Sequence, residues 1–333
     1  MKVLLYHGGI RIVNKSGIGV SYEHQKKALF VNHIPFTLKF KNEYDIAQFN
    51  TIFPDSAIAA YILKRKGKKI IYYGHSTMED FKKSFRGSDF FAPLFKKWIK
   101  FCYGLGDVII TPTNYSKKLL ESYGIEKPIY AISNGIDLDF YKRESGNGSR
   151  FREKYDIKDN EKVIISVGHY IERKGIIDFL KLAGEMPEYK FIWFGHTNLR
   201  MIPTKIKEAI HNKTTNVFFP GYVSNEELRD AYVGSDLFLF LTYEETEGIV
   251  LLEAMAMKIP IIIRDIPIYQ QEFIHGKSLY KGTNIVEFEN LAQNILCSNI
   301  LNITNNAYEL VKEKEISNVG NKLKDIYKNV LLM

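Results

Sequence analysis

Two glutamates and a glycine form the part of this chain best suited to bind a ligand. Glu245 and Glu253 lie on either side of Gly248, where a loop runs into an apolar helical segment. Glycine allows close backbone approach, and the first amides of a helix, here those of Ile249 and Val250, have no partner within it. Free amides and the helix dipole favour a phosphate. One carboxylate can then bind a sugar and the other a ribose, so the pattern predicts a sugar-nucleotide site.

The same stretch is also compatible with a structural role. Leu251, Leu252 and Met255 are spaced like the buried face of a helix, and the apolar run 259–263 is typical of a buried strand. The two glutamates would then only cap or solvate the helix. Both interpretations stay open on these residues alone.

The stretch resembles a known signature. Glu-x7-Glu, with glycine three residues after the first glutamate and Glu-Ala-Met-Ala at 253–256, is similar to the donor site of retaining glycosyltransferases of family four. The resemblance extends over the whole chain and is strongest to bacterial enzymes that build glycosyl-diacylglycerols. It implies the GT-B fold, an α/β architecture in which two Rossmann-like parallel-sheet domains face a cleft. It also implies that Glu245 contacts the donor sugar and Glu253 the ribose.

A basic loop at 168–175 is the second chemical feature. Its adjacent cations Arg173 and Lys174 follow a predicted strand, and such a pair can stabilise a diphosphate as it becomes a leaving group. Family members usually carry arginine directly after the first glycine, but this chain has His169. The resemblance therefore assigns Lys174 to the diphosphate and leaves Arg173 as the second cation. The alternative is an exposed basic loop.

Further candidates come from the ends of predicted strands and from glycine loops. His75 follows a strand, where ligands bind in open parallel sheets, and it matches the family histidine that faces the donor sugar. Gly17 would let the backbone approach the donor phosphate or the reacting carbon, and Val223 lies in a segment that resembles the family's base-contacting backbone. A hydrogen-bonded core histidine and a turn glycine are the alternatives. Asn134-Gly135 is interpreted as a structural turn.

Length and composition exclude several classes. A chain of 333 residues exceeds the usual size of a single core, so two domains are expected. We see no apolar run of about 20 residues and no cleavable leader, which predicts a cytoplasmic protein with at most peripheral membrane contact. Cys102 and Cys297 lie far apart, which argues against a metal site or a disulfide framework.

Charge is distributed unevenly along the chain. Residues 1–150 carry 24 Lys and Arg against 13 Asp and Glu, whereas the remainder carries 22 against 25. A basic first half indicates a polyanionic partner, either nucleic acid or an anionic membrane. A solvated lysine-rich surface is the alternative.

Alternating strands and helices predict parallel sheets. Predicted strands lie at 2–6, 45–50, 69–73, 108–111, 129–132, 162–167, 190–194, 217–219, 237–241 and 260–263. Predicted helices lie at 20–32, 56–66 and 116–123. The small polar residues 145–149 predict a linker. The expected units are an acceptor and membrane-facing domain at 1–144, a donor domain at 150–312, and a C-terminal segment at 313–333. The last segment is predicted to hold an amphipathic helix from about 316 to 332, which the resemblance implies packs back on the first domain.

A basic aromatic segment at 89–101 is the candidate membrane site. Pro93 suits a first helical turn, and the predicted helix then separates an aromatic face from a lysine face. A second basic cluster at 64–69 would add attraction to anionic lipid. Ordinary core aromatics with solvated lysines are the alternative. The predicted membrane-binding residues are Phe91, Phe95, Lys96, Lys97, Trp98, Lys100, Lys64 and Arg65.

Together these features predict a retaining, metal-independent transferase that moves glucose from UDP-glucose to a monoglucosyl-diacylglycerol. The resemblance implies that the leaving diphosphate assists attack on the same face of the sugar. No cofactor is expected, since the UDP-sugar is a substrate, and anionic lipid should promote activity. Galactose transfer, a capsule or teichoic-acid enzyme with a polyprenyl-linked acceptor, and a sugar-nucleotide epimerase remain alternatives. A nucleic-acid-binding protein is disfavoured by the donor-site residues.

Overall fold

Two parallel sheets organise the molecule. The computed structural model describes residues 1–198, 200, 202–298 and 303–333, and within these ranges it confirms the predicted α/β class. Each sheet has six strands, and every paired neighbour runs parallel. The carboxyl ends of the strands in each sheet therefore lie along one edge, where side chains for a binding site can gather.

The first sheet has the order β2-β1-β3-β4-β5-β6. Its strands are β1 Val3–Tyr6, β2 Phe36–Thr37, β3 Ile46–Phe49, β4 Lys69–Tyr73, β5 Val108–Thr111 and β6 Ile129–Ala131. Its helices are α1 Ile10–Val13, α2 Gly17–Val31, α3 Pro54–Arg65, α4 Met78–Phe81, α5 Ser88–Gly104 and α6 Asn114–Ser122.

The second sheet has the order β12-β11-β10-β7-β8-β9. Its strands are β7 Val163–Val167, β8 Lys190–Phe194, β9 Val217–Gly221, β10 Leu237–Phe240, β11 Ile261–Arg264 and β12 Tyr280–Gly282. The accompanying helices are α7 Gly148–Lys154, α8 Ile176–Glu185, α9 Thr204–His211, α10 Asn225–Gly234, α11 Ile249–Ala256, α12 Pro267–Gln270, α13 Ile285–Leu296 and α14 Thr304–Lys312. The last helix, α15, spans Ile316–Leu332.

Local sequence accounts for most of these elements. Central strands such as β5 and β10 are continuous apolar runs that are buried on both faces, as expected for parallel strands covered by helices. Several helices begin at side-chain caps, among them α6, on which Thr113 and Ser116 form a capping box. Strands β2 and β12 were not predicted from the sequence. Both are edge strands of two or three residues, too short to show a periodic pattern.

The C-terminal helix returns to the first domain, as predicted. Backbone bonds join Ile136 to Lys314 and Ile316 just before α15 starts. Leu323 and Tyr327 of α15 are then buried in the first domain's core, and the Tyr327 hydroxyl donates to Gln48 at 2.6 Å. These contacts fix the last helix against α2 and β3.

The predicted linker at 145–149 is packed rather than free. Asn147 caps α7 by accepting from the Arg150 amide, and its own amide donates to Asp230. Gly146 and Gly148 lie so close to α10 that an added Cβ would approach its atoms to 2.5 and 3.0 Å. The glycines therefore permit close contact between α7 and α10, so the predicted linker is packed against the second domain. Ile136 and Tyr141 already pack in the second domain's core.

Two helices also begin at residues other than the predicted ones. α5 begins at Ser88, so Pro93 lies inside the helix rather than in its first turn. α2 begins at Gly17, three residues earlier than predicted, which makes Gly17 a helical residue rather than a loop residue. Within the described ranges, no helix combines the length and the apolar character needed to cross a bilayer.

Candidate functional site

Gly248 sets the geometry where the loop enters α11. Its φ of 88° is a left-handed conformation that favours glycine, and an added Cβ would lie 2.8 Å from the Tyr269 hydroxyl oxygen. The Phe240 ring would be 2.9 Å away. Glycine is therefore required both by backbone angle and by space. The turn directs the first residues of α11, Ile249 and Val250, toward a cavity that both line.

Glu253 lies one turn further along α11 and is almost completely buried. The Tyr232 hydroxyl donates to its Oε2 at 3.0 Å, and the Tyr141 hydroxyl also bonds to the carboxylate. Burial raises the pKa of Glu253 to about 7, although both tyrosines oppose this rise by stabilising the anion. The pair of phenols orients the carboxylate toward the same cavity.

Glu245 forms an ion pair with the predicted diphosphate cation. It is buried, and Lys174 bonds to its Oε1. Lys174 follows β7 in a short 3₁₀ turn, whereas Glu245 follows β10 in the neighbouring strand position. Two strand ends of one sheet therefore bring the cation and the carboxylate together.

Arg173 is held by both domains. Its Nη1 lies 2.8 Å from Asp80 Oδ1 and donates to the Glu244 carbonyl at 2.7 Å, with Glu245 Oε2 at 3.9 Å. The side chain is 9% exposed. The second predicted cation is thus present in the cleft, but its guanidinium is already engaged.

His75 lies on the opposite side of the cleft, directly after β4. Its ring stacks on Tyr73 with centroids 4.7 Å apart, and its Nε2 has no hydrogen-bond partner in the part of the chain that the structure describes. Burial lowers the pKa of His75 to about 3, so the imidazole is neutral at neutral pH. A neutral ring nitrogen can donate to or accept from a sugar hydroxyl without adding charge.

His169, which stands where the family usually has arginine, is not a substitute cation. Its Nδ1 lies 3.0 Å from the His196 carbonyl. Burial lowers its pKa, and the neighbouring Lys174 and Arg173 charges lower it further although the carbonyl bond opposes them. The ring is therefore neutral at neutral pH, and the local positive charge comes from Arg173 and Lys174.

One interdomain cavity of about 280 Å³ collects these residues. Every predicted catalytic and donor-binding residue lines it: Gly17, His75, Arg173, Lys174, Val223, Glu245, Gly248, Ile249, Val250 and Glu253. An alanine Cβ at Gly17 would meet no atom within 4 Å, so this helical glycine faces open space. The structure brings together residues that are up to 236 positions apart in the chain, from Gly17 to Glu253.

Several lining residues were not predicted as ligand contacts. Asp80 and Asn134 come from the first domain, as does Lys15, whose ammonium lies 5.0 Å from the centroid of the Tyr222 ring across the cleft. The sequence predicts a turn at Asn134-Gly135, and Gly135 does adopt a φ of 81°. Asp80 carries no sequence signal beyond its position five residues after His75. Tyr222 lay within the segment predicted to contact the base.

A buried contact links the donor loop to the domain crossover. Glu247 Oε2 accepts from the Asn134 amide at 2.8 Å, and its Oε1 lies 3.6 Å from the Lys314 ammonium. Burial raises the pKa of Glu247, and Lys314 and the Asn134 amide oppose this rise. Burial alone would lower the pKa of Lys314, but Glu247 and Glu272 outweigh it and raise the value. Glu247 therefore joins the donor loop to the two places where the chain passes between the domains, at Asn134 and at Lys314.

The predicted membrane residues on α5 fall into different environments. Phe91 is exposed, Phe95 and Trp98 are half-buried, and the Trp98 indole donates to the Ile52 carbonyl at 2.7 Å. Lys96 lies over the Tyr123 ring at 4.4 Å, whereas Lys97 and Lys100 are exposed. Phe95 and Trp98 pack against the first domain's core, whereas Phe91 does not, so the core alternative is removed for Phe91 and holds in part for the other two.

An open apolar groove lies on this face. We call it the aromatic groove, and it is lined by Phe81, Phe91, Leu94, Phe95, Lys97, Trp98 and Phe101. Neighbouring Phe90 is 82% exposed and Leu94 is 65% exposed, a degree of apolar exposure that marks interaction surfaces when it is contiguous. Phe81 belongs to α4, the same short helix that places Asp80 in the cleft.

The second basic cluster is partly used within the protein. Lys64 donates to the carbonyls of Gly104 and Leu105, and Lys68 donates to the Tyr44 carbonyl. Arg65 bonds to the Tyr61 hydroxyl but stays exposed. Both predicted residues are exposed, and the Lys64 ammonium also closes the end of α5.

Comparison with known proteins agrees with this architecture. Residues 7–140 match the family described as Glycosyltransferase Family 4, and residues 148–309 match Glycosyl transferases group 1. A processive diacylglycerol alpha-glucosyltransferase from Acholeplasma laidlawii is 41% identical over 332 residues, which cover 99% of both chains. An alpha-galactosylglucosyldiacylglycerol synthase from Streptococcus pneumoniae is 29% identical over 68% of this chain and 62% of its own.

Solved structures share the fold. The HepE protein of Anabaena, crystallised in complex with UDP and glucose, superposes with a TM-score of 0.76 at 16% identity and covers 98% of this chain and 99% of its own. Two Rossmann-like domains with a cavity between the carboxyl edges of their sheets define the GT-B fold. Given the near full-length relative at 41% identity, the chain belongs to glycosyltransferase family four.

Proposed function

We propose that this chain transfers glucose from UDP-glucose to the sugar of a monoglucosyl-diacylglycerol, with retention of configuration. The observation that carries the proposal is the shared cavity, in which Glu253 and Glu245 of the donor domain face His75 of the first domain. The full-length relative, named a diacylglycerol alpha-glucosyltransferase, supports the choice of sugar and lipid. No cofactor is required in this proposal.

The donor would bind mainly to the second domain. Glu253 accepts hydrogen bonds from the ribose hydroxyls, and the backbone near Val223 contacts the base. The amides at the start of α11 and the cations Lys174 and Arg173 lie where the diphosphate would bind. Glu245 then holds a hydroxyl of the transferred sugar while its partner Lys174 faces the phosphate.

The reaction would proceed on one face of the sugar. The bond between the anomeric carbon and the diphosphate oxygen breaks, the acceptor oxygen bonds to that carbon, and the acceptor proton passes to the departing phosphate oxygen. Negative charge grows on the diphosphate as the bond breaks, so Lys174 and Arg173 stabilise the transition state more than the ground state. Neutral His75 can hydrogen-bond to the sugar without repelling its developing positive charge.

The acceptor would reach the cleft from a membrane surface. The aromatic groove and the exposed Phe90 supply apolar contact area, and Lys97, Lys100 and Arg65 supply positive charge. Amphipathic surfaces of this kind bind the interface of anionic bilayers. The protein would therefore act at the cytoplasmic face as a peripheral enzyme, and anionic lipid would raise its activity.

The decisive experiment is a transfer assay with mixed lipid extract and either UDP-glucose or UDP-galactose. We expect a diglucosyl-diacylglycerol. Mass spectrometry detects the glycolipid product, and an enzymatic assay of the released sugar identifies the added hexose, since glucose and galactose have the same mass. Preferential use of UDP-galactose would replace glucose by galactose in the proposal, an outcome that the pneumococcal relative makes worth including. Transfer to polyprenyl-linked sugar without transfer to glycolipid would overturn the lipid assignment.

A further inference from the structure

Arg173 extends from the donor domain to the first domain. Its Nη1 lies 2.8 Å from Asp80 Oδ1, and its Nε donates to the Ser84 hydroxyl at 3.3 Å. On its own domain, the same Nη1 donates to the Glu244 carbonyl. The guanidinium is therefore oriented from both sides of the cleft.

The first-domain partners are themselves fixed. The Asp80 amide donates to the capping hydroxyl of Thr77 at 3.0 Å, and Ser84 Oγ donates to the Asp80 carbonyl at 2.7 Å. Asp80 and Ser84 thus form one local unit at α4. Burial raises the pKa of Asp80 and Arg173 opposes that rise, in agreement with a carboxylate that depends on this cation.

The adjacent cation has a different environment. Lys174 pairs with Glu245, which belongs to the same domain. Of the two cations assigned to the diphosphate, Arg173 is thus the one that forms an ion pair with a first-domain carboxylate, that of Asp80. Arg173 has the Glu244 carbonyl as a partner within the donor domain, but its close carboxylate contact, Asp80, belongs to the first domain. The carboxylate partner of Lys174, by contrast, lies within the donor domain.

Other contacts hold the donor loop in the same closed arrangement. Thr113 Oγ1 donates to the Thr246 carbonyl at 3.0 Å, and the Asn134 amide donates to Glu247. These bonds position the loop, but they do not touch either cation. Asp80 is therefore placed to couple domain closure to the diphosphate site.

We propose that Asp80 is a positioning residue that acts through Arg173. Its carboxylate fixes the guanidinium toward the leaving diphosphate when the first domain closes on the donor loop. The cation site is then complete only in the closed enzyme, which delays bond breaking until the acceptor domain is in place. The inference rests on the proposed function, because it requires Arg173 to face the diphosphate.

The first test separates turnover from binding. Asp80→Asn should lower kcat about tenfold or more while the KM for the UDP-sugar changes less than about threefold, since Lys174 and the α11 amides still bind the donor. Asp80→Glu should recover part of the loss. The matched control is Glu79→Gln on the same helix, whose carboxylate accepts from Tyr123 rather than reaching Arg173. A loss in KM alone would overturn the proposal.

The second test asks whether Asp80 acts through Arg173. In an Arg173→Gln background, Asp80→Asn should lower kcat less than about twofold, because the coupling has already been removed. Equal losses in both backgrounds would assign Asp80 a separate role and overturn the inference.

Hydrogen exchange supplies a readout without turnover. Asp80→Asn should reduce amide protection in 78–84 and 243–248, and Glu79→Gln should not affect 243–248. If wild-type protein transfers no hexose but the exchange result holds, the proposed function fails while the interdomain contact stands; unchanged protection removes the contact itself.

Discussion

The Tyr232 hydroxyl donates to Glu253 Oε2 at 3.0 Å and lies 3.3 Å from the Val250 carbonyl. One phenol from α10 thus contacts both the buried carboxylate of α11 and the backbone of the same helix's first turn. Because Glu253 and Val250 line the donor cavity, Tyr232 orients the site without lining it. The arrangement makes donor binding sensitive to residues behind the cavity wall.

Tyr232→Phe should weaken UDP binding about threefold to tenfold at pH 7, since one hydrogen bond contributes about 0.5–1.5 kcal/mol. Losing the donor also removes a contact that lowers the pKa of Glu253, so the defect should shrink at higher pH, where the carboxylate ionises anyway. Isothermal titration at two pH values measures both effects. Tyr130→Phe, on the exposed face of β6, is the matched control. Equal affinity for variant and wild type would show that Tyr232 does not orient the site.

Donor affinity should depend on pH through Glu253, whose pKa is raised to about 7 by burial. Ribose hydroxyls donate to the ionised carboxylate, so binding approaches its maximum about one pH unit above the pKa and weakens as the pH falls through 7, by up to about tenfold per unit. Glu253→Gln should bind weakly and without this dependence. Glu244 also has a pKa raised to about 7, so Glu244→Gln serves as the control. Its donor affinity should still decrease as the pH falls below 7. A flat wild-type profile between pH 5.5 and 8 would remove Glu253 from the ribose site.

Gly248→Ala should abolish measurable donor binding. The left-handed backbone costs about 1–2 kcal/mol for a residue with a Cβ, and the Cβ would also lie within 3 Å of Tyr269 and Phe240. Gly276→Ala is a suitable control because its φ of 74° imposes similar backbone strain with no atom within 4 Å. Both variants should lose comparable stability from strain, but Gly276→Ala should still bind UDP. Retained binding in Gly248→Ala would show that α11 does not present its first turn to the donor.

Lys314→Met should destabilise the fold by about 2–3 kcal/mol, somewhat below the value for a fully buried pair because Lys314 is 21% exposed. The loss arises because Glu247 remains buried with an unpaired charge. In a Glu247→Gln background the same substitution should cost clearly less. Urea denaturation of the two single variants and the double variant gives the coupling. Strict additivity would mean that the 3.6 Å contact contributes nothing.

Liposome binding should depend on the exposed apolar side chains of α5. Phe90→Ser with Leu94→Ser should reduce binding to anionic vesicles severalfold, since each removes apolar area from the interface. Ile274→Ser with Val286→Ser removes side chains of similar exposure from the second domain and should have no effect. Vesicle sedimentation at two salt concentrations measures binding and its electrostatic part. Equal binding by all variants would assign the aromatic groove to another partner.

Several structural features could be predicted from local sequence because they depend on neighbouring residues. Strands β4, β5 and β8 have the bounds predicted for them, since each is built on an uninterrupted apolar run of the kind that a strand buried on both faces needs. The amphipathic pattern of α15 gave its bounds as well. Edge strands β2 and β12 were not predicted, because two or three residues are too few to show a periodic pattern. The close packing of the predicted linker could not be foreseen, because small residues serve equally for flexibility and for the close approach of α7 to α10.

The sequence by itself determined the α/β class, the residues with donor-site chemistry and the family to which the chain belongs, because these follow from residue type and short spacing. The tertiary structure alone decided which partners these residues meet. Asp80, Tyr232 and Lys314 are remote in sequence from Arg173, Glu253 and Glu247, and nothing in local periodicity couples them. Asp80 meets Arg173 across the cleft, Tyr232 of α10 meets Glu253 of α11 within the donor domain, and Lys314 meets Glu247 just before α15. This packing sets the distances, the burial and hence the charge of each group.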